Sequence, residues 1–290
     1  MNEQVCKADM GGGGVAGVDT CGYPVETTGN TVLDILERRS STRAFARDDN
    51  DRPVAVTDEQ RAAILHAASR APSAGAMMMY SIISIREQAT LDRLADLCDH
   101  QPMIAKAPWA LIFVVDYAKW IDLFEHVGCF EPEFVERTGK SPRRAPGLGD
   151  FAIAAQDAVI AAQNAVVAAE ALGLGSCYIG DVVENAEEVA ELLDLPPYTM
   201  PLSMLIIGTP RKERPAIAHP VVNLVHEEHY RRADDATMDA QVAEMDAMFR
   251  PHAREVGERV VDIYTRKHTS PFMAEMSRSM EWWFKNWLGR

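Results

Sequence analysis

A mixed α/β or α+β fold built on one sheet is what the sequence predicts, on three observations. Short β-branched or apolar runs alternate with amphipathic stretches through the middle of the chain. One of them, Trp109-Ala-Leu-Ile-Phe-Val-Val115, is apolar without a break, as a strand buried on both faces must be. Asp150 to Leu172 has helical length and is apolar nearly all round, which suits a core or a seam between subunits better than a solvated surface.

Taken in order, residues 1–30 carry the tetraglycine Gly11–Gly14 and read as a flexible Gly-rich tail. Thr31 is placed to cap a short helix through Arg38. Thr57 with Gln60 forms a capping-box signature for a helix with Ile64, Leu65 and Ala68 inward, ended by Ala71-Pro72. Residues 81–85 (Ser-Ile-Ile-Ser-Ile) read as a strand, Leu91 to Cys98 as a short helix, and 109–115 as the buried strand. Residues 117–150 change character, mixing Trp120, Phe124, Phe130 and Phe134 with charge and a Pro/Gly-rich stretch from Ser141 to Gly149. A long connection of this kind suits a lid. After the apolar helix, Ser176–Ile179 and Met204–Ile207 read as strands, with a helix from Glu187 to Leu193 between them. Residues 237–265 form a long helix broken at Pro251. Ser270-Pro271 then opens a last helix with Phe272, Met276, Met280, Trp283, Phe284 and Trp287 at helical spacing.

Composition excludes several classes of function. Lys and Arg number 29 against 43 Asp and Glu, a net charge of −14, so the chain repels polyphosphate at long range and broad nucleic-acid binding is not expected. The five cysteines (6, 21, 98, 129, 177) are odd in number and include no CxxC pair, which points to a reducing, cytoplasmic setting without a disulfide framework. No apolar run is read as a membrane span, and the first thirty residues lack the basic and apolar regions of a secretory signal. In His226-Glu-Glu-His229 one residue separates Glu227 from the second His where a zinc HExxH motif needs two, so no metal site is expected.

Three segments carry candidate chemistry. In Arg38-Arg39-Ser40-Ser41-Thr42-Arg43, residues Arg39, Ser41 and Arg43 are spaced by two, so extended backbone would turn two guanidiniums and a hydroxyl to one side, as a phosphate or polyol cradle. A solvated basic turn after a helix explains the same pattern equally well. Ala71-Pro72-Ser73-Ala74-Gly75-Ala76 is a small-residue loop that would let a ligand approach backbone N–H groups, or is an ordinary turn. Leu172 to Gly180 contains a GxG that follows a helix rather than a strand, so it is no dinucleotide fingerprint. It reads as a helix cap leading into a strand, or as a backbone wall for a flat ligand.

Together and in order, these segments resemble the FMN-dependent nitroreductase family. The resemblance rests on Arg-Ser-Ser-Thr-Arg-Ala-Phe after a helix and on the capped helix ending Ala-Pro-Ser-Ala-Gly. It extends to the helix and strand from Asp157 to Gly180, and to Leu195-Pro196 followed by Met204-Leu-Ile-Ile-Gly208-Thr-Pro210. It spans about residues 31–230 and implies an α+β fold, a central mixed β-sheet flanked by helices, in an intertwined homodimer with FMN at the interface. Residues 231–290 would be a helical extension on the same domain or the partner. By position, Arg39, Ser40 and Ser41 would hold the FMN phosphate and ribityl chain, and Arg43 would approach the pyrimidine edge. Pro72, Ser73, Ala74, Gly75 and Ala76 would contact the flavin from the partner. Tyr178, Ile179 and Gly180 would form the wall near N5, and Lys212 or Arg214 would complete the phosphate site.

The implied activity is hydride transfer from NAD(P)H to flavin and on to nitroaromatic, quinone or similar flat acceptors, in ping-pong order. Reductive dehalogenation, flavin fragmentation, or a non-catalytic dimer with a decayed flavin site are the alternatives. Many relatives carry Asn at Ala76, Gln at Met78 and Pro-Trp at Met79-Tyr80, and an Arg where this chain has His219. Thioethers would therefore line part of the wall.

Overall fold

The computed structural model of the chain describes residues 29–140, 144–212, 220–250, 252 and 254–289, with the backbone alone of 17–18 and 24–25. It forms two units, Met1–Arg39 with Pro215–Val261, and Ser40–Arg214 with Asp262–Arg290.

The first unit begins with a two-residue antiparallel ladder, β1 (Gly17–Val18) and β2 (Pro24–Val25), inside the segment read as a tail. Helix α1 (Thr31–Arg38) follows with the expected end but a different cap. Asn30 takes the N-cap position, and its Oδ1 accepts the N–H groups of Val32 (3.1 Å) and Leu33 (3.3 Å). An Asx side chain satisfies these orphan donors as well as a Thr would, so the helix starts one residue earlier than a Thr31 cap implies.

The second unit holds the sheet. Helix α2 (Asp58–Ser69) opens on the full Thr57–Gln60 capping box. Strand β3 (Tyr80–Ile85) leads through α3 (Gln88–Leu97) and the one-turn α4 (Pro102–Ala105) to β4 (Trp109–Asp116). Residues 117–150 contain α5 (Ala118–His126) and α6 (Pro132–Thr138), followed by the long α7 (Leu148–Ala171). Strand β5 (Gly175–Ile179), helix α8 (Ala186–Leu192) and strand β6 (Thr199–Gly208) complete the sheet.

The strand order is β3-β4-β6-β5, and every pairing is antiparallel. The expectation of a mixed sheet is corrected here for the described residues. Ile85, the last residue of β3, pairs with Ala110 near the start of β4. The α3–α4 excursion thus returns the chain to the end it left, and β4 must run back.

Helices cover both faces of this sheet. Trp109, Leu111, Phe113, Leu205 and Ile207 pack against Ile64 and Ala68 of α2 and the alanine row Ala158, Ala161, Ala162, Ala165 and Ala169 of α7. Ala110, Ile112, Val114, Met204 and Ile206 meet Leu91, Leu94, Ile104, Val189 and Trp283 on the other side. This is why all of β4 is buried. Helix α7 is long and apolar enough to cross a membrane by length and composition, contrary to the reading that no segment is. It lies instead along α2 and the sheet.

The predicted helix over 237–265 is two helices, α9 (Asp235–Phe249) and α10 (Glu258–Ile263); Pro251 itself lies outside the described residues. Proline cannot donate to the preceding turn, so α9 stops before it. The Asp246 carboxylate then accepts N–H groups from Gly257 (2.6 Å) and Arg259 (2.9 Å) at the start of α10. The last helix, α11 (Pro271–Trp287), packs within the second unit. Its fully buried Trp283 donates Nε1–H to Val183 O (2.9 Å), and Trp287 donates to Gly147 O (3.1 Å).

Glu184, beside this contact, is 3% exposed, and among the described residues its Oε1 has no hydrogen-bond partner. Burial first, then the charges of Asp181, Asp99 and Glu275, push its pKa from 4.5 up to about 7, against a smaller opposing pull from Lys267. Its folded-state pKa lies above the unfolded value. Between about pH 4.5 and 7 the unfolded chain therefore releases this proton first, and stability falls as pH rises. Glu184→Gln is expected to flatten that slope and raise the melting temperature at pH 8 by roughly 2–6 °C. Melts from pH 5 to 8 measure this, and equal slopes in both proteins would show that Glu184 does not carry it.

Candidate functional site

Three segments distant in sequence converge at the β5 edge of the sheet. The extended strip from Ser40 to Arg47 donates from Thr42 N to Ser176 O of β5 (2.8 Å) and from Ala46 N to Thr209 O just past β6 (2.8 Å). In return, Arg211 N donates to Ala44 O (3.0 Å). Phe45 anchors the strip, bridging to Pro210 and burying its ring. Gly208 is required by this approach. A Cβ there would stand 2.7 Å from Phe45 Cδ1 and 2.6 Å from Pro108 Cγ.

The strip alternates as its spacing predicts. Ser41 and Arg43 are exposed, while Ser40 and Thr42 turn inward and are buried. Ser40 therefore stands apart from the row it was grouped with, because a strand's side chains alternate. The Arg211–Ala44 bond brings the exposed Lys212 beside the strip. Among the described residues, Arg43 and Lys212 form no ion pair, so their charge is available to an anion. Arg39 closes α1 in the first unit, donating its N–H to Ile35 O (2.9 Å), and is partly exposed. Arg214 and His219 lie outside the described residues.

On β5, Tyr178 faces out and donates its hydroxyl to Gln163 Oε1 of α7 (3.4 Å), and Gly180 is exposed at the strand's end. Ile179 was grouped with them as wall, but its side chain is 2% exposed and belongs to the core. Strand parity turns it away, leaving only its backbone at the surface side.

The 72–76 loop hangs on a residue that the sequence reading did not single out. Asp157 of α7, 3% exposed, accepts from Ser73 Oγ (2.7 Å), Ala74 N (3.0 Å) and Met79 N (3.3 Å). Ser73 Oγ also accepts Met78 N (2.6 Å), so its hydroxyl is committed within the chain. Pro72, Ala74, Gly75, Ala76 and Met78 are exposed, whereas Met79 and Tyr80 are buried. Of the methionines expected to line a wall, Met78 is thus the one presented openly. The only sign of Asp157 in the sequence is an acid in the apolar middle of a helix whose other acids, Asp150 and Glu170, lie near its ends.

The 117–150 segment forms a pocket of about 340 Å³ lined by Tyr117, Ile121, Phe124, Cys129, Phe130, Phe134 and Arg144. Three of the four predicted lid aromatics are there. Trp120 is not. Its indole donates to Met77 O (2.9 Å) and ties α5 to the 72–79 loop. Arg144 forms a two-pronged ion pair with Asp150 (2.6 and 2.8 Å) and holds that carboxyl below the usual range. Burial, then the Asp150 charge, pushes the Tyr117 phenol up, so it stays a neutral donor at physiological pH.

An α+β protein with an exposed hydroxyl and exposed cations on a strip at its sheet edge, an exposed tyrosine on the adjoining strand and an aromatic-lined pocket in the 117–150 segment is the class these features define. The chain belongs to the nitroreductase family, whose model matches residues 36–209. An NAD(P)H FMN reductase of Bacillus subtilis is 33% identical over 215 residues, covering 73% of this chain and 79% of that protein. An oxygen-insensitive NADPH nitroreductase of Salmonella typhimurium is 33% identical over 218 residues, covering 73% and 81%. Among solved structures, the hypothetical oxidoreductase YcnD of Bacillus subtilis superposes with a TM-score of 0.71 at 26% identity, covering 88% of this chain and 97% of that one. The NADPH:FMN oxidoreductase of Vibrio harveyi, complexed with NAD+, gives a TM-score of 0.66 at 25% identity, covering 86% and 97%.

Proposed function

We propose that the protein is an FMN-dependent oxidoreductase that takes hydride from NAD(P)H and reduces nitroaromatics, quinones or similar flat acceptors. The observation that carries this reading is the convergence of the Ser40–Arg47 strip with residues 208–212 beside β5. The donor set fits FMN. Ser41 offers a hydroxyl to a polyol, and Arg43 and Lys212, in no ion pair among the described residues, offer cations to a phosphate and to an electron-rich ring edge. Such local cations can hold one phosphate against a net charge of −14. The names of the relatives, an FMN reductase and an NADPH nitroreductase, support the same reading.

Bound FMN would supply the hydride chemistry. The chain's residues bind and orient it. Ser41 and Lys212 would hold the phosphorylated tail. Arg43 puts a fixed positive charge at the pyrimidine edge, where reduction builds negative charge, and so favours the reduced form. Tyr178 and the backbone of Ile179 and Gly180 wall the ring from water. The lid cavity, with its three phenylalanines, would stack a flat acceptor.

A second copy of the chain completes the site. Helix α7 exposes Ile153, Val159 and Ile160, an apolar face suited to a homodimer seam. Asp157, which carries the 72–76 loop, and Gln163, which meets Tyr178, lie about 9 Å apart along α7 and about 120° apart around it. The loop and the wall thus sit on different faces of one helix, and the loop of a second copy would approach the flavin. The three described cysteines are free thiols, and we take the compartment to be the cytoplasm.

If NAD(P)H and acceptor use one face of the flavin in turn, double-reciprocal plots at several fixed acceptor concentrations give parallel lines. Intersecting lines would rule out the shared pocket.

A further inference from the structure

We propose that Asp157 is a positioning residue that fixes the 73–79 loop in the shape that contacts the flavin, an inference that rests on the flavin reading above. A buried carboxylate needs donors, and every donor shown here comes from one loop. Asp157 accepts Ser73 Oγ (2.7 Å) and Ala74 N (3.0 Å) at the loop's start and Met79 N (3.3 Å) at its end, so one side chain closes both ends. Ser73 Oγ relays the same anchor to Met78 N (2.6 Å).

The backbone between these anchors is left-handed at Gly75 (φ 58°), Ala76 (φ 56°) and Met78 (φ 47°). Side chains with a Cβ rarely adopt this region, and such conformations persist only where surrounding contacts over-determine them. Asp157 supplies those contacts from α7. Trp120 Nε1 to Met77 O (2.9 Å) and Asp116 N to Met79 O (3.1 Å) hold the opposite flank. The outcome is a strained rim whose exposed residues, Ala74, Gly75 and Ala76, are small enough for a planar ring to reach the backbone. A neutral amide at position 157 would turn one N–H donor toward the loop's own donors, and the loop would relax.

Asp157→Asn and Ser73→Ala, each in the full-length protein, test this with two readouts. One is FMN affinity by quenching of flavin fluorescence, together with the visible spectrum of bound flavin. The other is amide hydrogen exchange of Met78 and Met79 in the flavin-free protein. The expected result is a tenfold or larger rise in Kd, a shifted visible band and faster exchange at both amides, with the Asp157→Asn/Ser73→Ala double variant no worse than Asp157→Asn alone. Should Asp157→Asn fail to fold, Ser73→Ala, which leaves the carboxylate in place, carries the test by the same criteria. Wild-type affinity and spectrum in variants whose amides exchange faster would overturn the positioning role and leave the flavin reading standing. A wild-type protein that binds no FMN would overturn both.

Discussion

Arg43→Ala is expected to weaken FMN binding about ten- to hundredfold. The substitution removes a charge-assisted contact worth ~1.5–3 kcal/mol, and 1.4 kcal/mol is about a factor of ten. Arg43 is exposed and, among the described residues, forms no ion pair, so the substitution takes little from the fold. The melting temperature of the flavin-free protein should stay within about a degree or two. Arg43→Lys should recover only part of the affinity, because an ammonium restores the charge without the planar fork. A fluorescence titration of flavin-free protein reads all three proteins. Unchanged affinity in Arg43→Ala would mean that the cradle on the Ser40–Arg47 strip is not where the cofactor sits.

Ile160→Asp is expected to split the proposed homodimer and to release flavin with it. In the single chain Ile160 is 39% exposed, between Gln156 and Gln163 on the outer face of α7. A carboxylate is harmless on such a surface, so the monomer keeps its fold. Across a subunit seam it would be buried without a partner, at a cost of several kcal/mol, which weakens association at least a hundredfold. Sedimentation velocity at micromolar concentration would report monomers, and FMN affinity would fall in the same samples because the second copy's loop is gone. A flavin-loaded Ile160→Asp dimer would place the seam elsewhere.

Several elements were legible because their signals are local. The Thr57–Gln60 box fixed the start of α2, and the unbroken apolar run 109–115 announced the buried strand β4. The spacing of Ser41 and Arg43 put them on one exposed side, since strand parity needs only neighbours. The same parity could have separated Ile179 from Tyr178 and Ser40 from Ser41, and grouping them by motif hid it. The antiparallel order was not legible because it depends on where the α3–α4 excursion returns the chain. Asp157 was not legible because the apolar pattern of α7 carries no sign of its role, and its carboxylate serves a loop about eighty residues earlier in the chain. Trp120 read as a stacking aromatic on composition, but its indole N–H found a carbonyl in the 72–79 loop, a pairing that only the fold brings together.

The visible absorption spectrum of the purified protein, before and after NAD(P)H under anaerobic conditions, decides whether this chain is a flavoenzyme. The proposed function predicts a yellow dimer with one flavin per chain, bleached by NAD(P)H and restored by a quinone. A protein that stays colourless after incubation with excess FMN, while remaining folded and dimeric, would contradict it.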